Sequence, residues 1–175
     1  IYKMKQAIVT GATGFIGSYF VEFLSKKGID VISLGRKKYK DISIIRRKRI
    51  KDSKYIRIDM SNINLLKKEL KKNKLNIDNN CVFVNLAWAG KNKLSDLEVK
   101  YQMMNVVWSV NAFKIANEIK CKKFIQIGTM EEAFTKKYLS LDHHENKEYN
   151  RHLIYSVAKI ISKKALKLLA KEKVV

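Results

Sequence analysis

Proline is absent from this 175-residue sequence, and cysteine occurs only twice, at Cys81 and Cys121. The two cysteines lack C-x-x-C spacing, so the sequence indicates neither a disulfide framework nor a zinc site. Each of them begins an apolar run of the kind that forms a strand. We therefore expect two small buried thiols.

Long apolar runs are also missing. No segment is long enough to cross a bilayer, and the opening residues Ile1–Gln6 lack the apolar region of a secretory signal. We expect a cytoplasmic protein with no membrane partner. The length predicts one globular domain over 1–175, since two ordinary domains need a longer chain.

Acidic residues are scarce, 16 against 37 basic ones, and the net charge is +21. Such a charge is typical of proteins that bind nucleic acid. The lysines are spread along the whole chain, however, and the dense basic cluster at 46–51 holds no aromatic residue on which a base would stack. We expect no specific nucleic-acid partner. The alternative, a basic nucleic-acid binder, predicts steeply salt-dependent association.

Short apolar runs alternate with helical patterns along the chain. The patterns predict strands at 5–9, 29–34, 55–59, 81–87 and 124–127, and helices at 15–27, 61–72, 94–119 and 157–169. Ser61 is the expected cap of the second helix, and 35–51 is expected to be a loop with a short helix. The alternation predicts an α/β fold, a doubly wound parallel sheet (Rossmann fold) of five or more strands.

Three glycines follow the first predicted strand in "TGATGFIG", residues 10–17. Gly11, Gly14 and Gly17 lie where a dinucleotide pyrophosphate would meet free backbone N–H groups and the positive end of the first helix dipole. A Cβ at these positions would hold the phosphates away or push the helix from the sheet. The pattern predicts a dinucleotide site; the alternative is a tight turn between a strand and a helix.

The glycine segment resembles the cofactor fingerprint of the extended short-chain dehydrogenase/reductases, a group that includes nucleotide-sugar epimerases and dehydratases. Four further segments match that family in order: "RIDM" (57–60), "NLAWAG" (85–90), "IQIGTME" (125–131) and "YSVAK" (155–159). The resemblance implies NAD(P)-dependent hydride transfer on a nucleotide sugar. It implies a catalytic set of Thr129, Tyr155 and Lys159, and cofactor contacts from Gly11, Thr13, Gly14, Phe15, Ile16, Gly17, Arg36, Asp59, Met60, Leu86, Ala87, Asn105, Tyr155 and Lys159.

Tyr155 and Lys159 are four residues apart in a helical pattern, so they share a face of the helix. A phenol is a poor base at neutral pH, but an adjacent ammonium lowers its pKa. The resemblance implies that Lys159 also holds the nicotinamide ribose and that the hydroxyl of Thr129 binds the sugar. The alternative is a surface pair on a lysine-rich helix.

Met130 departs from the pattern of the sugar dehydratases in this family, which carry Thr-Asp-Glu where this chain has Thr129, Met130 and Glu131. The aspartate supplies the acid that expels water, and a thioether cannot donate that proton. Epimerisation or reduction is therefore favoured over dehydration. Glu131 is either an extra base or a solvated acidic residue.

The second strand bears on the choice of cofactor. NAD enzymes generally place an acidic residue at the end of this strand to bind the ribose 2′-hydroxyl, whereas here the position is Gly35, followed by Arg36 and Lys37. An arginine pairs with a 2′-phosphate, and a carboxylate would repel it. We expect NADP to be preferred over NAD.

His143, His144 and His152 lie in a polar segment that we expect to be irregular, where adjacent histidines rarely point at one ion, so no metal site is expected. Members of the family usually continue into a C-terminal substrate lobe, which this chain is expected to lack. A non-catalytic NAD(P)-binding module, or an inactive truncated fragment of such an enzyme, is therefore the alternative. By analogy with the family, a homodimer would form through 94–119 and 155–170.

Overall fold

The computed structural model describes residues 4–90, 99–140 and 147–172. Within these residues five strands form one parallel sheet in the order β3-β2-β1-β4-β5. The strands are β1 (Gln6–Thr10), β2 (Asp30–Gly35), β3 (Lys54–Arg57), β4 (Cys81–Asn85) and β5 (Lys123–Gln126). The strand order reverses between β1 and β4, which is where doubly wound sheets bind ligands. The predicted α/β fold is confirmed.

Every residue of β1 is buried, because helices cover both faces of the sheet. Side chains alternate along a strand, so Ile8 faces one apolar cluster while Ala7 and Val9 face another. The first cluster contains Phe83 of β4. The second contains Val31 of β2. This alternation fixes the register, since a slip of one residue would exchange the two clusters.

The described residues form one helix more than the sequence predicts, and the last helix is longer than predicted. The helices are α1 (Phe15–Lys26), α2 (Ile44–Arg49), α3 (Leu66–Lys72), α4 (Val99–Glu118), α5 (Glu131–Leu139) and α6 (Lys147–Lys171). The unpredicted helix is α5, which has acidic residues in its first turn and lysines in its last turn, an arrangement that the helix dipole favours. Residues 147–152 are expected to be irregular, but they form the first turns of α6.

Asp59, and not Ser61, caps the segment after β3, so that prediction is wrong. Oδ1 of Asp59 accepts hydrogen bonds from the backbone N–H of Ser61 at 3.0 Å and from its hydroxyl at 2.9 Å. The Asp59 carboxylate therefore satisfies the free amide of Ser61 itself, two residues further along the chain. The segment Met60–Leu65 is a 3-10 helix that leads into α3.

The two thiols are not both buried. Cys81 is inaccessible, but Cys121 is partly exposed and stands two residues before β5. The prediction is therefore correct for Cys81 and wrong for Cys121. The apolar run after Cys121 forms the edge strand of the described sheet, so the residues at its start are open to solvent.

The chain divides into two compact units. The first comprises Ile1–Ala87 and Asn111–Ile127, and it contains the whole sheet. The second comprises Trp88–Val110 and Gly128–Val175, in which α5 packs against α6. Among the described helices, none has both the length and the apolar character needed to cross a membrane.

Candidate functional site

The glycine segment connects β1 to α1 through a backbone that excludes side chains at two positions. Gly11 has φ +68°, and a Cβ there would lie 2.9 Å from the backbone nitrogen of Ala87. A Cβ on Gly17 would lie 2.1 Å from the carbonyl oxygen of Gly11. The loop therefore packs against the residue that follows β4, and α1 begins directly on the loop.

The first turn of α1 presents backbone amides without a protein cap. Gly14 is the N-cap residue and supplies no side-chain hydrogen bond. The amides of Phe15, Ile16 and Gly17 have no acceptor within the helix, as in the first turn of any α-helix. An anion at this end of the helix would receive these N–H groups and the favourable helix dipole.

A network of buried side chains ties the loop to the ends of β1, β4 and β5. The Thr10 hydroxyl donates to Oδ1 of Asn85, whose amide nitrogen donates to Gln126 at 2.8 Å. The backbone N–H of Ala87 donates to the Thr10 hydroxyl at 3.1 Å. Because the Ala87 N–H bonds a side chain and not the backbone of β1, β4 ends at Asn85 and not at Ala87 as predicted. The same hydrogen bond holds Ala87 in place against Gly11.

The end of β2 has no room for a side chain at Gly35, the position at which NAD enzymes generally carry an acidic residue. A Cβ on Gly35 would lie 2.8 Å from the Tyr55 hydroxyl and 2.9 Å from Cγ2 of Thr13. Tyr55 cannot easily yield, because its hydroxyl donates to the carbonyl of Lys37 at 2.6 Å. Arg36 follows and is exposed. A cation therefore stands next to a strand end at which no carboxylate fits.

Asn105 of α4 is buried and clamps Ala89 in the segment after β4. Its Oδ1 accepts from the Ala89 N–H at 2.7 Å, and its amide nitrogen donates to the Ala89 carbonyl at 2.8 Å. The amide group is thus used for holding the protein backbone. In this structure Asn105 positions the segment, which differs from the direct cofactor contact that the resemblance implies.

Thr129 and Tyr155 lie together in the second unit, close enough for the Thr129 side chain to affect the titration of the phenol. Burial raises the pKa of Tyr155 above its ordinary value, the neighbouring Thr129 side chain lowers it, and the charges of Glu131 and Glu132 raise it. The direction is opposite to the one expected from an adjacent ammonium. The physical reason is that the phenol loses water on burial, and the phenolate is the form that needs water most.

Lys159 is buried, with 7% of the residue exposed, and it lies against an aromatic ring. Its Nζ is 3.9 Å from the centre of the Trp88 ring and 5.8 Å from the centre of the Tyr155 ring. Burial lowers the pKa of Lys159 to about 8, and the negative charge of Glu132 opposes that shift. The structure therefore places Lys159 beside Tyr155 and excludes the alternative of an exposed surface pair.

Two residues beside this set are not among the site residues predicted from the sequence. Trp88 packs edge-on against Tyr155 with ring centres 5.9 Å apart, and its Nε1 donates to Gln102 at 2.8 Å. Glu132 accepts the Thr129 N–H at 3.1 Å and pairs with Lys163 at 3.0 Å. An aromatic residue directly after a buried strand was the available signal for Trp88. The signal for Glu132 required knowledge of α5.

Lys159 gives the chain a pH-dependent stability. Because its folded pKa of about 8 lies below the unfolded value of about 10.4, the cost of burying the ammonium is present below pH 8 and is relieved as pH rises. Relative to Lys159→Met, which does not titrate, we expect the free energy of unfolding to rise by about 3 kcal/mol over that interval. Denaturant unfolding at a series of pH values measures this rise.

The matched control is Lys163→Met, which removes an exposed lysine one turn further along α6. It should keep the rise between pH 8 and about 10.4. An identical pH profile for the chain and for Lys159→Met would contradict the burial of a charged Lys159.

The described residues contain no group of three or more His, Cys, Asp or Glu side chains close enough to hold a metal ion. His143 and His144 lie outside the described residues, and the side chain of His152 is also not described. The prediction about these histidines therefore stays a prediction.

Solved structures of three bacterial epimerases share this fold. UDP-glucose 4-epimerase from Bifidobacterium longum, in complex with NAD+ and UDP, superposes with a TM-score of 0.68 at 19% identity, over 96% of this chain and 50% of its own. The UDP-Glc/GlcNAc 4-epimerase of Campylobacter jejuni has a TM-score of 0.70 and 18% identity, and the match covers 97% of this chain and 50% of the epimerase. For UDP-N-acetylglucosamine 4-epimerase from Bacillus cereus the TM-score is 0.63 and the identity 21%, with 98% of this chain and 50% of the epimerase covered.

The chain thus spans about half the length of the solved structures that it matches. No curated protein sequence matches it. A family model, described as the NAD dependent epimerase/dehydratase family, matches residues 7–175. The five-stranded sheet, the bare glycine loop after β1 and the match over almost the whole chain agree, and the chain belongs to the NAD dependent epimerase/dehydratase family.

Proposed function

We propose that this chain carries the cofactor site and the proton-transfer residues of a nucleotide-sugar epimerase or reductase. The observation that carries the proposal is the burial of Lys159 against Trp88, one helical turn from Tyr155 along α6, with the Thr129 side chain beside that phenol. Burying a lysine costs free energy, and lysines without a function are rarely buried in this way. Membership of the family supports the same assignment.

The residues present fit a dinucleotide. A pyrophosphate would be held by the amides of Phe15, Ile16 and Gly17, at a helix end where the loop leaves the backbone bare. We propose that Asp59 and Met60 contact the adenine, and that Thr13, Leu86 and Ala87 line the path of the cofactor. In its bound state the nicotinamide supplies hydride chemistry, which no protein side chain provides.

Tyr155 is the proton carrier in this proposal. At neutral pH it is a phenol, because burial raises its pKa. It therefore stands ready to give a proton to a sugar oxygen that gains negative charge, and the Thr129 hydroxyl orients that oxygen. In the reverse direction Tyr155 takes the proton from a sugar hydroxyl. The Lys159 ammonium, with a pKa of about 8, remains mostly charged at pH 7 and stabilises the phenolate that precedes this step.

Met130 supports epimerisation or reduction over dehydration. Its side chain stands where dehydratases of the family carry an aspartate, and the residue is 72% exposed. A thioether has no proton to donate to a departing hydroxyl. Water elimination at a sugar carbon therefore lacks an acid at this position.

The test is interconversion of UDP-sugar epimers by the chain with NAD+ or NADP+, followed by chromatography of the products. Turnover supports the enzyme assignment. Binding of a dinucleotide without turnover would favour the second candidate, a cofactor-binding module. This candidate is tested because the chain matches only about half the length of the solved epimerases. If neither dinucleotide bound, both assignments would be rejected.

Arg36 is expected to make NADP(H) the preferred dinucleotide. An exposed guanidinium beside a strand end that cannot carry a carboxylate suits a 2′-phosphate. We expect Arg36→Ala to weaken NADPH binding by about tenfold or more, as the loss of a charge-assisted hydrogen bond implies, and to leave NADH binding unchanged. Titrations followed by nicotinamide fluorescence measure both. Equal losses for the two cofactors would contradict a contact with the 2′-phosphate.

A further inference from the structure

The two cysteines of the chain meet at the amino ends of neighbouring strands. Cys81 opens β4, and the thiol of Cys121 donates to its sulfur with the two Sγ atoms 3.9 Å apart. The backbone N–H of Lys122 donates to the Cys81 carbonyl at 2.8 Å, which holds the two strand starts together. The sequence gives no sign of this contact, because the residues are far apart along the chain.

The thiols differ in access to solvent. Cys81 is 0% exposed and lies in the apolar cluster that also contains Phe83. Cys121 packs against the same cluster but is partly exposed. An external reagent therefore reaches Cys121 first, and Cys81 is the group that meets whatever forms on Cys121.

We propose that Cys81 and Cys121 form an oxidisable dithiol, a modification site at which a small disulfide such as oxidised glutathione produces an intrachain disulfide. The sulfurs must approach from 3.9 Å to about 2.05 Å. The backbone hydrogen bond from Lys122 to Cys81 already holds the two strand starts side by side, so this movement is left to the two side chains. The crosslink joins β4 to β5.

The reaction proceeds in two exchanges that balance. The Cys121 thiolate attacks one sulfur of the glutathione disulfide, forms a mixed disulfide and releases one glutathione thiolate. Cys81, whose pKa is raised by the neighbouring Cys121 and by burial, must lose its proton; its sulfur then attacks Sγ of Cys121 and expels the second glutathione. Two thiols of the protein are oxidised by two electrons, one glutathione disulfide is reduced, and the two protons pass to the two glutathione molecules.

The site stands apart from the proposed cofactor loop. The thiols lie at the amino ends of β4 and β5, whereas the glycine segment follows the carboxyl end of β1, to which β4 runs parallel. Oxidation is therefore expected to act on stability and not on dinucleotide binding. A disulfide that closes the long loop from 81 to 121 restricts the unfolded chain.

The experiment treats the reduced chain with oxidised glutathione, quenches it with N-ethylmaleimide in denaturant and measures the intact mass. We expect a mass about 2 Da below the reduced chain with no maleimide attached, a peptide linking Cys81 to Cys121, and monomers on a non-reducing gel. The melting temperature should rise by about 5 °C or more, as expected for a crosslink of this loop length.

Single variants separate the proposal from a pair of inert core thiols. In Cys81→Ser and Cys81→Ala we expect the reaction to end with one glutathione attached to Cys121, because the thiol of Cys81 that would displace it is absent. Cys121→Ser should stay unmodified, since Cys81 is buried. The proposal is overturned if the unsubstituted chain retains two maleimides, carries two glutathiones, or links to a second chain.

Discussion

Gly17→Ala is expected to destabilise the chain by about 3 kcal/mol and to abolish dinucleotide binding. A Cβ at this position lies 2.1 Å from the carbonyl oxygen of Gly11, far inside any allowed contact. The atoms that this Cβ would meet belong to the backbone, so no flexible side chain can move away to relieve the clash. Relief requires α1 to move away from the loop, which displaces the amides that hold the pyrophosphate.

The sign of this effect is informative. In an open helical position, alanine is more favourable than glycine by about 1 kcal/mol. If Gly17 were an ordinary residue of α1, the variant would be more stable. Denaturant unfolding gives the change in free energy, and thermal shifts with each dinucleotide give the change in binding.

Gly28→Ala is the matched control. Gly28 follows the carboxyl end of α1 and has φ +73°, but a Cβ added there would meet no atom within 4 Å. Its substitution should cost about 1 kcal/mol from the left-handed backbone conformation alone, with dinucleotide binding intact. A Gly17→Ala chain that binds both dinucleotides normally would refute the role of the loop.

Tyr155→Phe is expected to lower turnover of a UDP-sugar by about 10³-fold, within the range for loss of a general acid or base. The ring and its packing against Trp88 remain, and only the hydroxyl beside Thr129 is lost. Dinucleotide affinity should therefore change little. Thr129→Val, which removes the neighbouring hydroxyl, should lower turnover to a smaller extent.

Tyr101→Phe serves as the control for loss of a tyrosine hydroxyl. Tyr101 belongs to α4 and packs edge-on against Trp108 with ring centres 6.0 Å apart. We expect its turnover to equal that of the unsubstituted chain. Were Tyr155→Phe to keep full turnover, the proton-transfer role would have to be assigned to another residue.

The fold was predictable because its signals are local. Buried strands such as β1 and β4 read as continuous apolar runs, and the spacing of Phe20, Phe23 and Leu24 belongs to a helix. Element boundaries were less accurate. Hydrogen bonds between residues distant along the chain set these boundaries. For example, β4 ends before Ala87 because the Ala87 N–H donates to the Thr10 hydroxyl.

The candidate site was predictable in part. Gly11, Gly14 and Gly17 are recognisable from sequence by their spacing after a strand, and at Gly11 and Gly17 the backbone leaves no room for a Cβ. The spacing of Tyr155 and Lys159 follows from helical geometry. The electrostatics of the pair were not predictable. A spacing of four residues does not reveal burial, and burial reverses the expected direction of the Tyr155 pKa.

The sequence by itself determined the alternation of strands and helices, apart from α5, and the position of the glycine loop, and it indicated the family to which the chain belongs. Periodicity and glycine placement act over a few residues, and they are written directly in the chain. Only the tertiary structure decided that Lys159 lies against Trp88, that Lys163 pairs with Glu132, and that Cys81 touches Cys121. These contacts join residues distant along the chain, and packing alone brings them together.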